Sequence, residues 1–413
     1  MTEIEILNAV RNDTLFGLIE CDIEVPERLR EYFSEMQPIY KNTDITRADI
    51  GPFMRRYAET HNIMRQPLRS LVASYFGKQF LLITPLLKWY LAHGLIVTRI
   101  YQVIEYEPNA CFRYFGEEVS VARREGDANP DKAIIADTNK LFGNCAYAKT
   151  IIDRDRYRDV KYCTEAVAAR LVNSRRFRQL DKVAKDVYEV EMSKRVIKYD
   201  LPIQIGFFVY QYAKLRMLQF YYDFIDTYVD RPLFQYCETD TDSAYIAIAG
   251  ENVDELVSAD KREHYFRHRA EWFTSECCDD HIEAYVRFRL DNQQWIPDDC
   301  CLSRQAYDKR TPGLFKREWH GDGFIGLSSK TYYCFGGVDK YSTKGLNKTR
   351  NEINKDTFMQ VLTSRVSGTG VNRGFQVKDS SMYTYIQERA ALTYFYPKRI
   401  VMEDGVSTGP LLI

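Results

Sequence analysis

The chain predicts an α+β fold, and three observations carry that prediction. Two short apolar runs, Leu233–Cys237 and Ala244–Ile248, flank an acidic turn and read as an antiparallel hairpin. Just before them, Ile205, Phe208, Tyr212, Leu215, Leu218, Tyr222 and Ile225 recur at intervals of three and four, the period of an amphipathic helix. Beyond residue 300, His320-Gly321-Asp322-Gly323 and Gly336-Gly337 separate short aromatic strands, so Leu314–Tyr341 reads as a small antiparallel sheet. With 413 residues and 45% hydrophobic content, the chain can bury substantial cores in two or three substructures.

In chain order, Phe16–Val25 is a strand on which Glu20, Asp22 and Glu24 share one face. A charged loop region runs from there to about Gln66. A strand near Phe80–Thr84, a helix from Pro85 to His93 and a strand at Val97–Tyr106 follow. A helical region then reaches about Thr150, with Arg123, Arg124 and Lys132 as candidate phosphate contacts. Residues 151–200 form a charged, mixed connection to the long helix and the acidic hairpin. Near the end, Asn351–Leu362 and Tyr383–Thr393 read as helical, and Ser367-Gly368-Thr369-Gly370 as a flexible loop. Boundaries are expected between residues 1–110, 111–150, 151–300 and 301–413.

The long helix carries Gln204, Gln211, Lys214, Arg216 and Asp223, which excludes a membrane span; Lys214 and Arg216 are expected in solvent. No signal-peptide pattern follows Met1, so an intracellular location of unspecified compartment is expected. Among the ten cysteines, the pairs Cys277-Cys278 and Cys300-Cys301 lack the C-x-x-C spacing of a zinc ribbon, although Asp279 and His281 lie close to the first. Free thiols are the default reading.

The net charge of −1 is unusual for a partner of nucleic acid, but the local balance differs. Residues 309–350 hold 9 Lys/Arg against 3 Asp/Glu, and residues 151–200 hold 13 against 9, while residues 251–300 offset them with 6 against 13. In the first of these segments the cations alternate with Phe315, Trp319, Phe324, Tyr332, Tyr333 and Tyr341, a pattern suited to following a duplex backbone and equally to a solvated β-meander.

Chemistry concentrates at two places. Asp240-Thr241-Asp242-Ser243 puts two carboxylates on the tip of the hairpin, where a rigid sheet would hold them for a divalent metal. Alone, it reads first as a polar turn, because Asp and Ser favour turns for local hydrogen-bonding reasons. About a hundred residues upstream, Lys140-Leu141-Phe142-Gly143-Asn144-Cys145-Ala146-Tyr147-Ala148-Lys149 spaces Lys140, Asn144 and Tyr147 by four and three. That spacing lines a cation, an amide and an aromatic ring along one helix face, with Leu141 and Cys145 turned toward a different, buried face. By itself this is also a solvated helix face with a half-buried Tyr.

Together and in this order the two elements resemble motifs B and C of the family B DNA polymerases, most closely the protein-primed type of viruses, linear plasmids and mobile elements. Motif C is matched in full at Asp240–Ser243; motif B is matched at Lys140, Asn144 and Tyr147, with Cys145 where the family usually has Ser and Ala148 where it has Gly. Lys330-Thr331-Tyr332 followed by Lys344-Gly345 looks like the family's primer-contact segment, and Pro312–Trp319 fits the passage from palm to thumb. The resemblance spans roughly residue 15 to the C-terminus.

It implies a palm of antiparallel sheet packed on helices, helical fingers and a small β-rich thumb. It also implies template-directed nucleotidyl transfer from a dNTP to the 3′ end of a DNA primer-template, with Mg²⁺ as cofactor. In that scheme Asp242 is the direct metal ligand and Asp240 supports it. Lys140 neutralises the triphosphate, Asn144 and Tyr147 border the nascent base pair, and Lys330, Tyr332 and Lys344 hold DNA. A terminal priming protein is an implied partner. The family's motif A, Asp-x-x-Ser-Leu-Tyr-Pro, which brings the other metal-binding aspartate, occurs nowhere in the sequence, and neither does the exonuclease domain. The expectation is therefore a C-terminal fragment, with an inactive remnant that still binds DNA as the alternative. A metal-dependent nuclease on the same two carboxylates would call for clustered His, and none of the six His stands beside the hairpin. Asp22 is the one upstream carboxylate weighed as a replacement ligand.

Overall fold

The computed structural model describes residues 1–344, 346, 351–378 and 381–413. It is a mixed α+β structure of several small antiparallel sheets. An N-terminal helix, α1 (Glu3–Arg11), begins with a capping box in which Thr2 and Glu5 satisfy each other's backbone N–H groups. Strand β1 (Gly17–Glu24) follows. Ile19, Cys21 and Ile23 are buried on one face, and Glu20, Asp22 and Glu24 lie on the other, as the alternation predicts.

The region expected to be a charged loop contains β2 (Ile39–Ile45) and α2 (Gly51–Thr60). The helix was hidden by Arg55, Arg56 and Glu59, which surround the stripe Phe53, Met54, Tyr57 and Ala58; a Pro in the first turn starts it. Next come β3 (Leu68–Ser74), which pairs with β2, and β4 (Phe76–Ile83), then α3 (Thr84–Ala92) and β5 (Ile96–Glu105). Strand β1 is central in the antiparallel order β4-β1-β5.

Two helices, α4 (Arg113–Ala128) and α5 (Ala133–Ala148), form an antiparallel pair joined by a short turn. They meet through small residues: a Cβ on Gly143 would lie 3.3 Å from Val119, and Gly126 faces Ala136. No α5 residue is fully buried, and Leu141, expected on a buried face, is 61% exposed, because α5 packs shallowly and largely on α4. Residues 151–200 are more ordered than a connection. They hold β6 (Arg158–Cys163), α6 (Glu165–Val172), β7 (Phe177–Ala184) and β8 (Val187–Ser193), a sheet of order β6-β8-β7 over a small core of Ala168, Val190 and Met192.

The long helix α7 (Ile203–Gln219) continues into a π-helical turn, Phe220–Ile225, in which every residue but Asp223 is buried. Asp223 accepts from the Trp89 indole N–H at 2.9 Å and meets His93 Nε2 at 2.8 Å, tying this turn to α3. Lys214 is half-buried over the rings of Tyr40 and Tyr90, and Arg216 donates to the carbonyls of Glu271 and Gly313, so neither stands free in solvent. Strands β9 (Phe234–Asp240) and β10 (Ser243–Ile248) form the acidic hairpin, backed by Tyr221 against Phe234 and Tyr236.

The C-terminal part contains the expected meander, β11 (Gly323–Ser328), β12 (Thr331–Phe335) and β13 (Lys340–Ser342). The helix at Lys355–Ser364 starts four residues later than expected. In place of a flexible loop at 367–370 and a helix at Tyr383–Thr393 stands a ribbon of β14 (Gly368–Lys378) and β15 (Ser381–Leu392). Backbone pairing holds β15, whose side chains are exposed until its last two residues, so no buried stripe marked it in the sequence.

Two main cores result. One joins α1, β1, α3 and α7 to the helices Arg262–His268 and Ile282–Leu290. The other joins Ile45, Phe53, Met54 and Val72 to Ile325, Tyr333, Phe358, Leu392 and Leu411, so residues 45–72 share their core with the C-terminal part. No helix among the described residues is long and apolar enough to cross a membrane.

Candidate active site

The hairpin tip is a tight turn. Asp240 pairs with Ser243, and the Asp242 N–H donates to the Asp240 carbonyl at 2.7 Å across Thr241, whose φ is +59°. An i→i+2 bond around a positive φ is the rarer, strained form of γ-turn, and a β-branched residue pays an added steric penalty there. The backbone thus fixes where both carboxylates leave the sheet.

The meander closes on this tip. Lys330 occupies the two-residue turn between β11 and β12 with φ +63°. Its N–H donates to Glu238 Oε1 at 3.0 Å and its Nζ stands 3.1 Å from Asp240 Oδ1. Strand β12 is fastened to β10 by the Tyr245 hydroxyl, which donates to that of Tyr332, and Phe324 completes a cluster of three rings with centroids 4.7–5.7 Å apart. Tyr332 is only 9% exposed, so it supports the site through Tyr245 rather than through an open ring face.

Tyr147 packs against the long helix. Its ring meets Tyr210 of α7 edge-on at 5.8 Å. Burial, then Tyr210 and the charge of Asp242, push its hydroxyl above the ordinary tyrosine range. This packing depends on Gly206. Thr150 donates to the Tyr147 carbonyl at 2.7 Å and accepts from the Gly206 N–H at 3.0 Å. Lys140 and Asn144 lie exposed further along α5.

Lys344 is exposed; burial, and then the Lys344 charge, lower the Lys398 ammonium, and Gly345 lies outside the described residues. Of the other phosphate candidates, Arg124 donates to the Tyr307 carbonyl and stacks over that ring at 3.7 Å, and Lys132 pairs with Glu125 at 2.7 Å. Both are engaged within the protein.

Asp22 belongs to another sheet and is already engaged: its carboxylate accepts from the Gln79 N–H at 2.7 Å and from the Tyr101 hydroxyl at 3.0 Å. Among the described residues, no third carboxylate, His or Cys joins Asp240 and Asp242 in a set able to hold a metal. The donor set fits one Mg²⁺ held by one or two carboxylates and by substrate phosphates. It does not by itself supply the clamp for a second ion.

Glu238, Tyr245 and Lys398 were not singled out in the sequence. Glu238 shares the strand of Asp240 two residues away and so shares its face, which is the signal that could have found it. Burial pushes its carboxyl up to about 7; the Lys330 N–H opposes the shift and the Asp240 charge adds to it. The folded form therefore binds a proton that the unfolded chain has released between the ordinary value of 4.5 and about 7. Stability from this group is present below that window and declines as pH rises through it. Glu238→Gln is expected to flatten the unfolding profile between those limits by on the order of 1–2 kcal/mol, allowing for partial solvent access. Urea titrations at a series of pH values read this out; parallel wild-type and variant profiles would refute it.

No family model matches this chain, and no curated protein or solved structure matches it.

Proposed function

We propose that this chain carries the palm, fingers and thumb elements of a family B DNA polymerase and that its function is template-directed nucleotidyl transfer on a DNA primer-template. One observation carries the reading. Two sequence stretches that the resemblance singles out independently meet at one place: Lys330 pairs with Asp240, and Tyr332 bonds Tyr245 on the next strand. Residues separated by some ninety positions in each step have no local reason to converge.

In this reading β1, β4 and β5 with the hairpin and α7 are the palm, α4 and α5 the fingers, and the region after residue 300 the thumb. Asp242 holds Mg²⁺, which stabilises charge on the transferred phosphoryl group when bound. Lys140 on the exposed face of α5 meets the triphosphate, while Asn144 and Tyr147 border the base pair. Lys330 orients Asp240, and Lys344 and Lys398 attract the primer backbone. A terminal priming protein remains a proposed partner.

A second reading, DNA binding without catalysis, is favoured because no third ligand stands at the tip among the described residues. Primer extension with Mg²⁺ or Mn²⁺, run beside Asp242→Asn and an anisotropy assay on the same primer-template, separates the two. Extension lost by more than about 100-fold in the variant supports transfer at Asp242. Salt-sensitive binding without extension supports the second reading. Absence of both overturns the polymerase proposal.

A further inference from the structure

Away from the hairpin, the fold gathers a second set of chemistry-bearing side chains. Cys278 precedes the helical segment that starts at Asp279, and His281 lies one turn on; Cys300 and Cys301 sit in the first turn of the helix Asp299–Asp308. The ligand atoms of these four residues all lie within 4.8 Å of one another.

We propose that Cys278, His281, Cys300 and Cys301 bind one structural zinc ion. The geometry is that of a tetrahedral Cys₃His site. Zn–S bonds of about 2.3 Å and Zn–N bonds of about 2.0–2.1 Å at tetrahedral angles put two sulfurs about 3.8 Å apart, and a sulfur and a nitrogen about 3.6 Å apart. The Cys278 sulfur lies 3.3 Å from that of Cys300 and 3.8 Å from that of Cys301. His281 Nδ1 lies 3.5, 3.3 and 3.5 Å from the sulfurs of Cys278, Cys301 and Cys300. All five separations lie within about half an ångström of the tetrahedral values.

A disulfide needs sulfurs about 2.05 Å apart, much closer than either pair stands, and all four groups are too close together to straddle a polynuclear iron–sulfur cluster. The backbone N–H of Cys278 donates to the Cys301 sulfur at 3.4 Å, the kind of supporting bond that stabilises a thiolate ligand. The Trp295 ring, 6.3 Å from that of His281 and anchored through its N–H on the Glu276 carbonyl, helps hold the imidazole in place. Cys301 is fully buried and Cys278 and His281 are half-buried, so four protein ligands would close the site with no position for substrate. Thiolate ligation also favours zinc over the hard cation expected at the hairpin. Binding releases the thiol protons.

The ion would fasten the segment around Cys278 to the helix Asp299–Asp308. That helix carries Tyr307, on which Arg124 of α4 stacks, and is followed by Arg310, which pairs with Asp127 of α4. Zinc would thus brace the platform on which the α4–α5 pair stands.

The test uses the purified full chain, prepared without chelator. Mass spectrometry of the metal content is expected to give about one zinc per chain. Exchange into cobalt is expected to give the intense visible bands of tetrahedral, thiolate-ligated Co²⁺, a readout from the unmodified chain that does not depend on any variant folding. Cys300→Ser, at the exposed ligand, is expected to weaken retention against a competing chelator by more than about 100-fold, beyond what loss of a merely supporting residue costs. Cys111→Ser, outside the set, is expected to retain the metal. Octahedral cobalt spectra, zinc well below one per chain, a Cys278–Cys300 disulfide in the native protein, or unchanged retention in Cys300→Ser would each overturn the proposal.

Discussion

Asp254→Ala is expected to destabilise the protein by about 3–5 kcal/mol, because it strands the Arg289 guanidinium in the interior and takes from Arg269 one of its two carboxylates. Asp254 is 8% exposed and lies just after the acidic hairpin. Its carboxylate accepts from Arg269 at 3.2 Å, from Arg289, and from the Tyr265 hydroxyl at 2.6 Å. Burial alone would raise its pKa, but Arg269, Tyr265 and Arg289 together hold it below the ordinary carboxylate range. Arg269 would keep Glu276 at 2.9 Å, whereas Arg289, whose Nε has no partner among the described residues, would lose its carboxylate. For a chain of this length the loss corresponds to a fall in Tm of about 4–5 °C. Amide exchange should rise first in the helices Arg262–His268 and Ile282–Leu290, which the carboxylate ties together. Since the folded pKa is depressed, the stabilisation is present above the unfolded value and disappears as pH falls through the folded one. An alanine variant that melts within a degree of wild type would refute this account.

Gly206→Val is expected to cost about 3 kcal/mol and to reduce binding or extension on primer-template DNA together with it. A Cβ at this position would lie 2.6 Å from Ile151 Cγ2, 2.7 Å from Thr150 Oγ1 and 3.0 Å from the Tyr147 carbonyl oxygen. Relief requires α5 to back away from α7, which lengthens the Gly206-to-Thr150 hydrogen bond and shifts Tyr147 from its place against Tyr210. Tyr147→Phe, which keeps the ring and loses only the hydroxyl, serves as the comparison. If Gly206→Val lowers stability but leaves DNA affinity and any extension intact, Tyr147 is not positioned by this contact.

Legibility in the sequence followed burial. Strand β1, helix α3 and helix α7 each bury several side chains, β5 and the β9–β10 hairpin pack partly buried ones, and all were readable within a few residues of their ends. The β14–β15 ribbon and α5 bury little, so nothing periodic marked the first or oriented Leu141 in the second. At the site, Asp240, Asp242 and Lys330 were legible because a motif spaces them, and Glu238 was overlooked because its partner is a backbone N–H some ninety residues away. The Cys/His set was legible only in part: His281 stood close to the first cysteine pair, but nothing in the spacing joined the second pair to it. Its two halves are separated by about twenty residues without C-x-x-C spacing, and only the packing of one helix start against another brings their ligand atoms together.

A π-helical turn holds one residue more than the α-helical path between the same flanks, and it occurs here at Phe220–Ile225. The chain after Ile225 consequently leaves the helix rotated by about 100° from the direction an uninterrupted α-helix would give it. Arg231, which bonds Asp226 and the Tyr221 hydroxyl, and strand β9 beyond it inherit that rotation. Deleting any one residue between 220 and 225 would therefore restore a straight helix and swing the acidic hairpin away from the Lys330 turn. A homologue with an ordinary helix here would align with this chain only across a one-residue gap in mid-helix, and its hairpin tip would need a compensating change in the loop before β9.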